Sequence, residues 1–96
     1  MSLRVIATVK ALPGKEEELR GILNALLHPT REEDGCLGYE LLENLEDPTE
    51  FRFVEEWTDD AAFGAHFDTP HIQAAAAAFE GVLAADLDVQ KYRLVG

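Results

Sequence analysis

Residues 39 to 57 read Tyr39-Glu40-Leu41-Leu42-Glu43-Asn44-Leu45, then Glu46-Asp47-Pro48-Thr49-Glu50, then Phe51-Arg52-Phe53-Val54-Glu55-Glu56-Trp57. Two runs rich in aromatic and β-preferring residues flank an acidic, proline-bearing turn, which predicts a β-hairpin. Upstream, Leu3, Val5, Ala7 and Val9 share one parity over residues 3 to 10, the alternation of a strand. Pro13-Gly14 breaks it. Lys15 to Leu27 then sets Leu19, Ile22, Leu23, Leu26 and Leu27 at helical spacing, behind Glu16, Glu17 and Glu18 at the positive end, and Pro29 is expected to stop the helix. Downstream, Thr58 can cap a short helix carrying Phe63, His66 and Phe67. Thr69-Pro70 opens another to about Leu83, with Ile72, Ala75, Ala76, Phe79, Val82 and Leu83 inward, and Leu87 to Val95 reads as a last strand. The order β-α-β-β-α-β predicts a ferredoxin-like α+β domain, an antiparallel sheet with helices on one face.

With 96 residues, 47% of them apolar, the chain has material for one core, so residues 1 to 96 are read as a single domain. A formal net charge of −11 with no basic run argues against nucleic acid and anionic membrane as partners. No apolar run approaches the roughly 20 residues of a membrane span, no secretory leader is evident, and Cys36 stands alone, so a cytoplasmic location is expected. Leu42, Val54 and Ile6 have the parity opposite to Leu41, Phe53 and Val5. Both sheet faces are then partly apolar, and a sheet-to-sheet homodimer is the simplest cover for the face without helices.

Closing the hairpin through a five-residue turn would set Leu45 opposite Phe51, Glu43 opposite Phe53, Leu41 opposite Glu55 and Tyr39 opposite Trp57. If that face meets the helices, Glu55 lies among aromatics, where desolvation raises a carboxyl pKa and makes a proton carrier; the plain alternative is a paired carboxylate that fastens the fold. His66 is the best general base by chemistry, since imidazole titrates near neutrality, although a single histidine beside Phe63 and Phe67 also suits simple packing. His71 lies five residues on with Pro70 between, the wrong spacing for one helical face, so a shared metal is not expected, and His28 has no partner. Trp57 and Tyr39 would make an aromatic wall for a planar ring, or part of the core. The run Ala74 to Ala78 supplies little bulk against the sheet, and a gap bounded by Phe63, Phe67 and Phe79 would be an apolar pocket. Cys36 reads as a structural thiol.

Asp34-Gly35-Cys36-Leu37-Gly38-Tyr39-Glu40, Asn44-Leu45-Glu46-Asp47-Pro48, Glu55-Glu56-Trp57 and His66-Phe67-Asp68-Thr69-Pro70-His71, with the opening Pro13 to Leu19, resemble the antibiotic biosynthesis monooxygenase family over nearly the whole chain. The resemblance implies a dimeric α+β barrel. It also implies one of several activities: cofactor-free oxidation of quinols and polycyclic aromatics, isomerisation of a phosphorylated sugar, or haem degradation. The haem branch carries a first-strand asparagine and a histidine on the last long helix; Ala7 and an alanine run stand here instead. Asn44 fits the family's asparagine, though on the strand parity opposite to Glu55 and Trp57. The expectation is a monooxygenase without metal, flavin or haem, acting with dioxygen on a small hydroxylated aromatic or quinol. His66 takes the proton, Glu55 and Asn44 assist, and Tyr39, Phe53, Trp57, Phe63, Phe67 and Phe79 hold the ring. The alternatives are an isomerase of a small carbonyl compound and a non-catalytic dimeric module that binds an aromatic metabolite.

Overall fold

The computed structural model describes residues 2 to 96. Its elements are β1 (Leu3–Lys10), α1 (Glu16–Arg31), β2 (Cys36–Glu43), β3 (Glu50–Trp57), α2 (Asp60–His66), α3 (Pro70–Ala78) and β4 (Asp88–Tyr92). The strands form one antiparallel sheet in the order β2-β3-β1-β4, the ferredoxin-like arrangement expected from the sequence. Val5, Ala7 and Val9 of β1 and Phe51, Phe53, Glu55 and Trp57 of β3 are buried on the face under the helices. Ile6 and Val54 sit side by side on the opposite face, half-buried, with Leu42 exposed nearby on β2.

The hairpin register differs from expectation by two residues: Tyr39 faces Glu55, Leu41 faces Phe53 and Glu43 faces Phe51. The turn closes earlier because Asn44 Oδ1 accepts from the Glu46 N–H and Asp47 Oδ1 from the Thr49 N–H, two side-chain turns that take Leu45 out of the strand and leave it 95% exposed. A slip of two keeps every side chain on its expected face. Between Cys36 and Gly38 the ladder is irregular, so Cys36, not Tyr39, stands opposite Trp57.

The helix boundaries also depart from the reading. Pro29 lies inside α1, which runs on to Arg31, because a proline in the last turn forfeits only one backbone bond. Arg31 then donates from Nε and Nη2 to the Tyr39 carbonyl at 3.0 and 2.9 Å, fastening the end of α1 to β2. Asp59, not Thr58, caps α2 by accepting from the Ala62 N–H at 2.8 Å. Thr69 and Pro70 open α3 as expected, but the helix stops at Ala78 and turns at Gly81, φ 76°, so Val82 is buried from a turn instead of a helix. β4 is shorter than expected at both ends. No helix among the described residues is long and apolar enough to cross a membrane.

Candidate functional site

Between the sheet and the helices lies a cavity of about 160 Å³. β1 contributes Ala7 and Val9 to its wall, β2 Tyr39, β3 Phe53 and Glu55, α2 Phe63 and His66, and α3 Ile72, Ala75 and Ala76, with Phe67 and Phe79 nearby. The space exists where small residues of the alanine run oppose the sheet, as their lack of bulk suggested. Ala75 is buried, whereas Ala76 keeps one side in solvent. Tyr39, Phe53 and Phe63 are at most 4% exposed, and Phe67 at 43% stands where the cavity meets solvent. Tyr39 stacks on Phe53 with ring centroids 4.6 Å apart. The polar side chains of the wall are His66, Glu55 and Tyr39.

Glu55 is a buried carboxyl on the middle of β3, and its Oε1 accepts from Trp57 Nε1 at 2.9 Å. Burial pushes its pKa up to about 7, against the pull of the indole N–H, with the charge of Glu33 adding to the rise. Burial also raises the Tyr39 hydroxyl well above its ordinary value, helped by the charge of Glu55, so Tyr39 stays protonated at neutrality. Trp57 does not reach the cavity wall. It is fully buried behind Glu55, so it holds the carboxyl in place and is not a platform for a ring.

His66 is 3% exposed and packed among Trp57, Tyr39, Phe63 and Phe67, with ring centroids 5.0 to 6.3 Å away. Desolvation by this shell lowers its pKa, opposed by a hydrogen bond to Glu33. The imidazole is therefore neutral near pH 7 and able to accept a proton. Nδ1 lies 2.6 Å from Glu33 Oε2, and Nε2 bonds no protein group among the described residues.

Glu33 is the residue that sequence reasoning missed. It follows α1 in a tight turn in which Glu33 N–H donates to the Thr30 carbonyl and Cys36 N–H to the Glu33 carbonyl, and no periodicity marks such a position. His71 Nε2 reaches the same Glu33 Oε2, also at 2.6 Å. The spacing argument that separated His66 from His71 fails, because the turn at residues 67 to 69 folds the start of α3 back beside the end of α2. Glu33, His66 and His71 offer three ligand atoms within 4.8 Å of one another, a suitable set for a divalent metal. Ligands on one tetrahedral ion lie about 3.3 Å apart when metal–nitrogen bonds are about 2.0 Å. At 2.6 Å these contacts are hydrogen bonds that satisfy one another.

Asn44 is not brought to the cavity. It is exposed in the hairpin turn, where Nδ2 donates to Glu50 Oε2 at 2.9 Å and Oδ1 shapes the loop. Of the strand cations, Lys91 pairs with Asp60, Arg4 with Glu56, Lys10 with Asp47 and Arg52 with Glu50; neither these four nor Arg93 lines the cavity. The site as built can exclude water from a small planar molecule, take up a proton at His66 Nε2, and exchange one at Glu55 near neutral pH.

Residues 2 to 78 match the antibiotic biosynthesis monooxygenase family. YcnE of Bacillus subtilis strain 168, provisionally named a monooxygenase, is 34% identical over 88 residues, covering 92% of this chain and 93% of that protein. The uncharacterised protein sll1783 of Synechocystis is 29% identical over 90 residues; the alignment covers 94% of this chain but only 61% of that protein. The crystal structure of PA3566 from Pseudomonas aeruginosa superposes with a TM-score of 0.91 at 38% identity, over 98% of this chain and 95% of that one. The chain belongs to the antibiotic biosynthesis monooxygenase family.

Proposed function

We propose that this protein is a cofactor-independent monooxygenase of small hydroxylated aromatics. The observation that carries the reading is the apolar cavity with His66 in its wall and the Nδ1 of that imidazole engaged by Glu33. Its volume of about 160 Å³ suits a one-ring substrate with small substituents, since an apolar cavity of about 150 Å³ accepts benzene. Dioxygen is apolar and enters the same space.

The substrate hydroxyl loses its proton to His66 Nε2, and the resulting phenolate is electron-rich enough to give one electron to dioxygen. Superoxide and the substrate radical then join at a ring carbon, forming a C–O bond. The proton on His66 returns to the outer peroxide oxygen, the O–O bond breaks, and the ring C–H proton is lost. The products are a quinone carrying one oxygen atom and a water carrying the other. Tyr39, Phe53 and Phe63 keep the ring in place, and protonated Glu55 donates a hydrogen bond to the oxygen that becomes carbonyl. In the same reading the protein is a cytoplasmic homodimer joined through the sheet face that bears Ile6 and Val54. The absence of a Lys or Arg from the cavity wall among the described residues weighs against a phosphorylated isomerase substrate.

Oxygen uptake by purified protein with a panel of one-ring hydroquinones tests the proposal. Uptake above the protein-free rate, reduced at least about 100-fold by His66→Ala, is expected, since a general base contributes about 10²–10⁴ in rate. Hydroquinone binding that survives His66→Ala without any uptake would assign the protein as a binding module.

A further inference from the structure

Two imidazoles meet one carboxylate oxygen, and the protons on them can be placed from the network. Thr69 has a single hydroxyl proton, and Oγ1 donates it to the His66 carbonyl at 2.7 Å. Thr69 Oγ1 can therefore only accept from His71 Nε2, 3.2 Å away, so Nε2 of His71 carries hydrogen and donates to Glu33 Oε2 as well. An ionised carboxylate is acceptor-only, so His66 must also donate, through Nδ1. The proton of neutral His66 is thereby fixed on the nitrogen away from the free side, and the lone pair is left on Nε2.

From this arrangement we infer that Glu33, anchored by His71, is the positioning residue that holds His66 in the Nδ1–H form and so keeps Nε2 available as the base. The inference rests on the proposed role of His66. It extends that role to two residues from other parts of the chain: Glu33 from the turn after α1 and His71 from the first turn of α3. The gradient of exposure agrees, with side chains 4% exposed at His66, 11% at Glu33 and 20% at His71. The reactive member is the most buried of the three, and the anchor is the most exposed. A buried carboxylate that fixes the tautomer of a catalytic imidazole is a known source of large rate effects, because the wrong tautomer presents a hydrogen where a lone pair is needed.

The test pairs imidazole nitrogen NMR of the whole protein with oxygen-uptake kinetics. The spectrum of wild type above pH 7 should show His66 protonated at Nδ1 and bare at Nε2. Glu33→Gln, whose amide can donate as well as accept, should move a substantial share of His66 to the Nε2–H form and lower kcat at least about 10-fold with KM within twofold. Glu33→Asp should restore part of both signals. His71→Ala, the milder change, should broaden the Nδ1–H signal and give an intermediate kcat, which covers the case in which Glu33→Gln does not fold. A wild-type His66 found as Nε2–H, or a tautomer unchanged by both variants, overturns the inference. Protein that turns over no hydroquinone yet shows the predicted tautomer and its loss refutes the base assignment and leaves the positioning geometry standing.

Discussion

Glu55 is a carboxyl whose pKa is displaced upward on folding, to about 7 from about 4.5. Below about pH 4.5 it is protonated in both the folded and unfolded chain and has no effect on the balance. As pH rises from about 4.5 to about 7 the unfolded chain releases the proton first, so stability declines across that window and is level above it. The difference corresponds to about 3 kcal/mol. Glu55→Gln retains an acceptor for the Trp57 indole and removes the charge, so it should flatten this decline and stabilise the protein at pH 8 by about 1–3 kcal/mol. Urea denaturation of both proteins at pH 5 and pH 8 checks it, and equal pH dependence in the two would refute it. Glu55 was legible in the sequence as a buried candidate because its strand parity is set by Phe53 and Trp57. Its true neighbours were not, because the register depends on the side chains of Asn44 and Asp47 in the turn.

Among the elements, the turn from α1 to β2 carries the greatest steric constraint. Gly35 has φ 84°, and a Cβ there would lie 2.6 Å from Ala62 Cβ and 2.7 Å from Thr58 Oγ1. The Gly35 carbonyl also accepts from the Thr58 N–H at 2.9 Å, tying this turn to the start of α2. The left-handed backbone alone costs an L-residue roughly 1–2 kcal/mol. With the overlap added, Gly35→Ala should lose about 2–4 kcal/mol in thermal or urea unfolding; a loss below 1 kcal/mol would show that the turn relaxes freely. At α3, Ala75→Leu should fill the cavity at a cost in stability of no more than about 1–3 kcal/mol. Calorimetry should then find hydroquinone affinity reduced at least tenfold, whereas Ala77→Leu on the exposed side leaves it unchanged. The pocket could be foreseen because alanine's lack of bulk is written in the sequence. The partnership of Glu33 with His66 could not, since it joins a turn to a helix end and depends on α1 continuing past Pro29, against the ordinary meaning of a proline.

For the molecule as a whole, the open sheet face is the feature that fold and composition foretold together. Ile6 and Val54 pair across β1 and β3 on that face, with Glu40 of β2 and Gln90 of β4 in the same row. Sedimentation equilibrium should give twice the chain mass of 10.6 kDa. Val54→Asp should yield monomers, by placing a charge at the centre of the proposed contact. Because each chain carries a formal charge of −11, added salt should tighten association through screening. A wild-type protein that sediments as a single chain at every concentration and salt level would remove the dimer.

β1 is an inner strand although it is the first to be synthesised, and its neighbours on either side come from much later in the chain, with Val5 facing Glu55 and Lys91. During translation it must wait for some 40 further residues before β3, its first hydrogen-bonding neighbour, emerges. The β2–β3 hairpin, local in sequence, has the smaller loop-closure cost, whereas walling in the cavity needs the long-range pairing of β4 with β1.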